Sequence, residues 1–291
     1  MSGSLNSVVT NTGAMIALES LDKTNSALNH VQKQVSTGYR VADATDDGAA
    51  YAVAQSVRST VGALTTANQQ LGNVQGLLST TQSGLNDISG LMSSMRDVLT
   101  NLASGSVTGN DQANYIATYQ SLLKNLKSDV QDATYSGKTL IGNITAGGGN
   151  SGTFANMSVV RNEIGAQYTV ATFGGSAVYA SLNYSTISLQ NAAFVQSAIG
   201  ASATAASFMN KMNSVNNELN TIGAAVNYVN NQVSYNSDKI DALNSGLGSL
   251  VDANLAQESA QLQALQIRQQ LGTQALSLAN QAPQSLLSLF K

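Results

Sequence analysis

The sequence predicts a mainly α-helical protein: a long antiparallel coiled-coil-like helical bundle made from both chain ends, with a small β-hairpin-containing insert in the middle. Three observations predict this fold. Long apolar stripes have coiled-coil spacing, there is a single proline in 291 residues, and a glycine-rich run separates the helical ends. Because proline removes a backbone donor and clashes with the preceding turn, a chain almost without it can form very long helices.

Two segments carry apolar residues in alternating steps of three and four, which is the spacing of a coiled coil. The first stripe consists of Leu71, Val74, Leu78, Thr81, Leu85, Ile88, Met92, Met95, Leu99 and Leu102. The second consists of Leu219, Ile222, Val226, Val229, Val233, Asn236, Ile240, Leu243, Leu247 and Leu250. As α-helices, each would extend for about 50 Å. A shorter third stripe contains Tyr115, Tyr119, Leu122, Leu126 and Val130. Since each apolar face needs a partner to be buried, the three stripes predict an antiparallel bundle.

The two chain ends carry weaker stripes that are rich in Ala, Asn and Gln. Helices of this kind are marginal alone, because helix stability in proteins comes mostly from packing. We predict that the ends pack on each other and on copies of the same molecule. The predicted subunit contacts place Leu18, Leu21, Leu28 and Val35 against Leu262, Leu265, Leu278, Leu286 and Leu289. The alternative is that these side chains pack only within one chain. Leu271 and Ala275 belong to the same predicted C-terminal stripe.

The middle of the chain has a different pattern. The run from Gly147 to Gly152 is typical of a flexible turn region that ends a helical segment. Three short stretches with Val, Tyr and Thr follow, at 157–160, 167–172 and 177–183. They are separated by the turn-forming residues 162–165 and 173–175. We predict short strands or hairpins in all three stretches.

Composition and charge exclude several classes of function. Charged residues make up 10% of the chain, against roughly 25% in an average soluble protein. The net charge of −3 offers no long-range attraction for nucleic acid or for an anionic membrane. Nowhere do about 18 apolar residues run together, so no membrane span is predicted. The N-terminus lacks the basic and apolar regions of a cleaved signal peptide, so any export would use another route.

The motifs that resemble catalytic or metal sites are incomplete, so we predict no enzyme activity, cofactor or metal. Gly137-Lys138-Thr139 ends like a phosphate-binding loop, but the required first glycine is Asp132. Asp43, Asp47 and Gly48 resemble a calcium loop that lacks its closing glutamate. With a single histidine and no cysteine in the chain, a two-histidine zinc site cannot form within one copy. We expect His30 to be solvated or in a subunit contact.

Both ends of the chain carry motifs that identify a family. Residues 8–12, 35–41 and 43–54 resemble the N-terminal pattern of bacterial flagellins, with Arg40, Asp46 and Asp47 at family positions. Gly48 and Ala49 stand in the reverse of the usual order. The turn at 135–140, with Gly137, is similar to the one that closes the family's second core helix. Residues 251–256, 269–272, 278–284 and 286–290 follow the C-terminal pattern, with Asn280 and Pro283.

This resemblance implies a structural subunit of the bacterial flagellar filament, which self-assembles into a helical tube for motility. It implies an inner domain of residues 1–42 plus 251–291 lining the filament channel, a helical rod of 43–142 plus 196–250, and a small outer insert at 143–195. The implied partners are copies of the chain, sibling flagellins, an export chaperone, and the cap and junction proteins. The implied location is the extracellular filament, reached by type III export without a cleaved signal peptide.

Two alternatives stay open at this point: a hook–filament junction protein of the same fold, and a surface carbohydrate-binding flagellin homologue that uses Tyr168, Tyr179 and Tyr184. The resemblance also bears on host recognition. The segment with Arg96, Asp97 and Val98 aligns with the one by which Toll-like receptor 5 detects some flagellins. The strongly detected pattern has two basic residues spaced by one, whereas this chain has Arg96 but Ser94. Detection is therefore doubtful.

Overall fold

The computed structural model describes residues 10–142, 144, 153–200 and 207–289, with side chains up to residue 281. The glycine-rich run at 147–152 lies outside the described residues. The helices are α1 (Thr12–Thr37), α2 (Gly48–Ala103), α3 (Gly109–Asp132), α4 (Gly175–Leu182), α5 (Thr186–Leu189), α6 (Ala192–Ile199), α7 (Phe208–Val251) and α8 (Leu255–Leu289). The strands are β1 (Lys138–Thr139), β2 (Thr153–Phe154), β3 (Met157–Val160) and β4 (Gln167–Val170). The mainly helical fold class is confirmed.

The chain forms two compact units. Unit 1 consists of Met1–Ser59 and Asp241–Lys291, and unit 2 of Thr60–Ile240. In unit 1, α1 packs against α8, so the N- and C-terminal helices pair as predicted. The finer division into residues 1–42 plus 251–291, 43–142 plus 196–250, and 143–195 stays a prediction. None of the described helices is long and apolar enough to cross a membrane.

The α2 stripe forms the core of unit 2. Every predicted member from Leu71 to Leu102 is at most 1% exposed. From α3, the core receives Tyr119, Leu126 and Val130 as predicted, with Ile116 and Leu123 in addition. From α7, Ile222, Val229 and Asn236 are fully buried, and Leu219, Val226 and Val233 are partly buried. The coiled-coil spacing therefore identified the buried faces of all three helices.

The insert contains the predicted hairpin. Strands β3 and β4 are antiparallel, with Met157 opposite Val170 and Val160 opposite Gln167. The Arg161 amide donates to the Ala166 carbonyl across the turn. Gly165 takes a positive φ of 78°, a conformation that glycine adopts without steric cost. Two of the three predicted β-stretches are therefore confirmed as one hairpin.

The predicted strand at 177–183 is wrong, because this stretch lies in the helix α4. Its buried side chains are Val178 and Leu182, four residues apart, which belong to the core of unit 2, and the helix contacts α3. Residues four apart share one face of a helix, whereas a strand would bury alternate residues. The Val and Tyr content of this stretch favoured a strand, but packing against α3 decided the outcome.

Candidate functional site: the outward face of the terminal helices

Helices α1 and α8 form an antiparallel pair whose inner face is buried within the chain. Leu28, Val31 and Leu265 form a small core, with Val35 and Leu262 partly buried around it. Polar side chains extend the contact: the Asn11 amide donates to the Ala279 carbonyl at 2.8 Å, and the Gln269 amide donates to Asn25 at 2.7 Å. These contacts place residues 11–35 of the chain beside residues 262–279 in the opposite direction.

Away from this contact, each of the two helices leaves large apolar side chains exposed. On α1, Met15, Ile16 and Leu18 are exposed and line a groove on the helix surface. On α8, Leu271 is 58% exposed and Leu278 is 70% exposed. Ile267 of α8 is 58% exposed as well. In the described part of unit 1, exposed apolar side chains on both helices thus accompany a small buried core.

The nine predicted contact residues fall into four groups. Leu28 and Leu265 are buried between α1 and α8, and Leu21, Val35 and Leu262 are partly buried. Leu18 and Leu278 are exposed. The side chains of Leu286 and Leu289 lie outside the described ones. The assignment of these residues to a subunit interface stays a prediction.

The C-terminal stripe pairs through a different face from the one that the spacing indicated. Leu271, Ala275 and Leu278 are exposed, while the neighbouring positions Gln269, Gly272, Leu276 and Ala279 are less exposed. A β-carbon at Gly272 would lie 3.2 Å from Leu21 Cδ1. Because glycine has no side chain, α1 and α8 approach closely there. Counting leucines missed this contact, since the packing positions include a glycine, an alanine and an amide.

The junctions α1–α2 and α7–α8 are linked by backbone hydrogen bonds. The Arg40 amide donates to the Val251 carbonyl at 2.7 Å, and the Arg40 guanidinium donates to the Leu250 carbonyl at 2.5 Å. The Ala253 amide donates to Gly38, and Tyr39 pairs with Asp252 as an isolated β-bridge. The family residue Arg40 therefore joins the end of α7 to the chain that leaves α1.

An acidic loop follows Arg40 and is held by one lysine. Lys33 Nζ donates to Asp43 Oδ2 at 2.6 Å and to Asp46 Oδ2 at 2.9 Å. The Asp46 carboxylate also accepts from the Ala42 and Asp43 amides, and His30 Nε2 lies 3.6 Å from it. His30 is thus half-exposed beside a carboxylate of its own chain. The described residues contain no group of three or more His, Asp or Glu placed to bind a metal ion.

Hydrogen bonds from Lys33 hold the pKa values of both aspartates below their usual range, with Thr45 adding to the effect at Asp43 and the Ala42 amide at Asp46. Bonds to the same carboxylates raise the pKa of Lys33. A depressed aspartate pKa stabilises the fold above the unfolded-state pKa of about 4, and this stabilisation is lost as the pH falls through the folded-state pKa.

We therefore expect Lys33→Met to reduce the pH dependence of the free energy of unfolding between about pH 4 and pH 2. The variant should be less stable than the parent at pH 7, and the difference should shrink on acidification. Urea unfolding followed by circular dichroism at each pH measures this. Lys23→Met is the control, because its ion pair with Glu19 is exposed on a single helix. Equal pH profiles for parent and Lys33→Met would contradict the assignment.

The other predicted family residues occupy turns and helix ends. The Asp47 carboxylate accepts from the Ala49 and Ala50 amides in the first turn of α2, as a helix-capping side chain does. Gly137 has φ 75° in the tight turn between Tyr135 and Lys138, which exchange both backbone hydrogen bonds. Asn280 is exposed on α8. Pro283 falls within α8, and its side chain lies outside the described ones.

The segment aligned with the receptor-detected region lies on α2. Arg96 and Asp97 are exposed, as is Ser94, whereas Val98 is 8% exposed and belongs to the core of unit 2. The exposed face therefore offers one cation at the aligned positions. That detection of this chain by Toll-like receptor 5 is doubtful stays a prediction.

Comparison with known proteins decides the family. The profile of the bacterial flagellin N-terminal helical region matches residues 8–146, and that of the bacterial flagellin C-terminal helical region matches residues 207–290. The chain belongs to the bacterial flagellin family. It is a structural subunit of the bacterial flagellar filament, and flagellins are structural proteins that form this extracellular filament.

Several relatives of this flagellin match over nearly their whole length. Flagellin FljM of Caulobacter vibrioides is 32% identical over 294 residues, which cover 99% of each chain. A flagellin of Brucella melitensis is 32% identical, covering 98% of this chain and 99% of its own. A solved structure from Vibrio parahaemolyticus, described as a flagellar hook-associated protein, has a TM-score of 0.58 at 16% identity. It covers 71% of this chain and all of its own, and shows the shared fold. The junction-protein and carbohydrate-binding alternatives are not favoured.

Proposed function

We propose that this flagellin polymerises through the apolar side chains that α1 and α8 expose on their outer faces, away from their contact with each other. The observation that carries the proposal is the exposure of Met15, Ile16 and Leu18 on α1 and of Leu271 and Leu278 on α8. Burying a large apolar side chain stabilises an interface by roughly 1.5–3 kcal/mol. Several exposed residues of this kind on one subunit therefore favour association.

The inner face supports this role by holding the two helices together. Leu28, Val31 and Leu265 are already buried within one chain, so they position the outer face. Leu18 and Leu278 would then contact neighbouring subunits directly. A head-to-tail contact whose rotation does not close on itself generates an open helix, and an open helix of subunits is a filament.

Low charge also favours this assembly. Moving charges out of water is costly, whereas uncharged helix faces rich in Ala, Gln and Leu avoid that cost. The partners in this proposal are other copies of the chain, sibling flagellins, an export chaperone, and the cap and junction proteins, without nucleic acid or membrane. Export would use the flagellar type III route without a cleaved signal peptide. The chain would have no enzymatic activity.

Removing residues 281–291 tests the proposal. The truncated chain should retain the helical signal of unit 2 by circular dichroism, because its core lies between Leu71 and Val233. It should fail to form filaments under conditions in which the full chain polymerises, as seen by sedimentation and negative-stain microscopy. Normal filaments from the truncated chain would show that the terminal helices are not the polymerising surface.

A further inference from the structure

Side-chain hydrogen bonds connect α2 to α7 along one exposed flank of unit 2. The Asn68 amide donates to Ser237 Oγ at 3.3 Å. The Gln75 amide donates to Asn230 Oδ1 at 2.6 Å. Further along, the Ser89 hydroxyl donates to Asn216 Oδ1 at 3.2 Å. Each pair consists of uncharged side chains.

The pairs repeat with the period of a coiled coil. On α2, Gln75 lies 7 residues after Asn68, and Ser89 lies 14 residues after Gln75. Their partners on α7, at positions 237, 230 and 216, are separated by the same intervals in the opposite direction. A heptad repeat returns to the same side of a coiled-coil helix. All three pairs therefore form in one antiparallel register, and a slip along the helices would break them together.

A buried asparagine lies beside the first pair. Asn236 is fully buried at a seam position of α7, and its amide donates to Asn68 Oδ1 at 2.9 Å and to the Arg161 carbonyl at 3.0 Å. The Gln232 amide donates to Asn236 Oδ1, so both ends of the buried amide are satisfied. A buried asparagine at a seam position favours the register in which it finds its partners, because any other register leaves it unpaired.

We infer that this polar ladder, defined as the pairs Asn68–Ser237, Gln75–Asn230 and Ser89–Asn216, determines the register of α2 against α7. Charged side chains usually perform this role at the flanks of coiled coils. Salt screens exposed charge pairs, and pH titrates them. Amide and hydroxyl pairs have neither dependence, so the register would be maintained across the salt and pH conditions that an extracellular filament meets.

One position of the ladder is vacant. The period places Gln82 on α2 opposite Gly223 on α7, seven residues from the Gln75–Asn230 pair on each helix. Gly223 has no side chain to offer, and a β-carbon built there would meet nothing within 4 Å. Gln82 is half-buried. An asparagine at 223 would thus have room, and it would recreate the Gln–Asn chemistry of the neighbouring pair.

The vacant position provides the first test. Gly223→Asn should lower the equilibrium constant of unfolding about fivefold more in the parent than in Gln82→Ala, because only the parent can form the added bond. Gly223→Ala in both backgrounds is the control, since it gives the gain in helix propensity without a partner for Gln82. Urea unfolding of the monomer measures all variants. An equal effect of Gly223→Asn in both backgrounds would overturn the assignment of this position.

A crosslinking test addresses register itself, since the chain has no cysteine. The pair Ser89→Cys with Asn216→Cys should form a disulfide, and the pair Ser89→Cys with Asn220→Cys, one turn away, should form about tenfold less. Adding Gln75→Ala and Asn68→Ala should raise the out-of-register yield severalfold. If these two changes leave the ratio of yields as it was, the apolar core alone sets the register and the inference fails.

The tests of the ladder are separate from that of the proposed polymerising face. All ladder residues lie in unit 2, and the readouts use the monomer, whereas the polymerising face lies in unit 1. A double-mutant cycle on Gln75→Ala and Asn230→Ala at low salt and at about 1 M salt completes the design. We expect the same coupling, about fivefold in the unfolding constant, at both salt concentrations. Loss of the coupling at high salt would contradict the uncharged ladder.

Discussion

Replacing Leu271 and Leu278 together by serine is expected to abolish filament formation at subunit concentrations that suffice for the parent. Both side chains are exposed on α8, so their truncation leaves the monomer core intact. If each is buried in a subunit contact, the pair contributes roughly 3–6 kcal/mol of association free energy. Since about 1.4 kcal/mol corresponds to a tenfold change in affinity, the critical concentration should rise by roughly 10²–10⁴.

The control for this variant is the double change Ile164→Ser with Ile187→Ser. These two isoleucines are even more exposed than the leucines, at 81% and 80%, but lie in the insert. We expect the control to polymerise within about twofold of the parent, since exposed substitutions away from an interface usually change free energies by at most ~0.5 kcal/mol. Sedimentation across a concentration series measures the critical concentration, and circular dichroism checks that each monomer is folded. Equal critical concentrations for the α8 variant and the parent would contradict the proposed face.

The second large effect is expected in the core of unit 2. Leu85 is fully buried in the middle of the α2 stripe. The adjacent Gly84 lies so close to Ala133 and Ile141 that an added β-carbon would be under 3.0 Å from both. Because the backbone is already tightly packed beside Leu85, the site has little freedom to collapse around a cavity. Leu85→Ala should therefore lower the free energy of unfolding by about 2–5 kcal/mol.

Leu91→Ala is the matched control for the core prediction. Leu91 lies on the same helix but is only partly buried, at the edge of the same cluster. Truncating Leu91 should lower the free energy of unfolding clearly less than truncating Leu85, because less of the Leu91 side chain leaves water on folding. Urea unfolding of both variants by circular dichroism gives the two values. Equal losses of unfolding free energy in the two variants would contradict the tighter packing around Leu85.

Much of the fold could be read from the sequence because it depends on apolar periodicity. The α2 stripe was predicted residue by residue. Residues in heptad spacing lie on one side of a helix, and that side is buried whichever element packs against it. The β3–β4 hairpin was equally readable from turn residues such as Gly165. The helix α4 was missed, because the helical conformation of this short segment depends on burying Val178 and Leu182 in the core of unit 2 and not on its own residue preferences.

The candidate site was only partly predictable. Leu28 and Leu265 were expected at a contact, but the sequence could not tell an internal contact from one with another subunit. The Lys33 hydrogen bonds with Asp43 and Asp46 were missed, although a lysine one helical turn before a helix end and an acidic loop after it is a readable signal. The polar ladder was missed because glutamines and asparagines are spread over every face of these helices.

The sequence by itself determined that this flagellin has long helices, which side of α2 is buried, and where a hairpin interrupts them. These features follow from local periodicity and turn chemistry, which do not depend on distant residues. Only the tertiary structure decided which side of α8 meets α1, and so which leucines stay exposed. It also decided which amides pair across α2 and α7. Side-chain partners come from the approach of distant segments, and a residue's polarity alone does not say what it will meet.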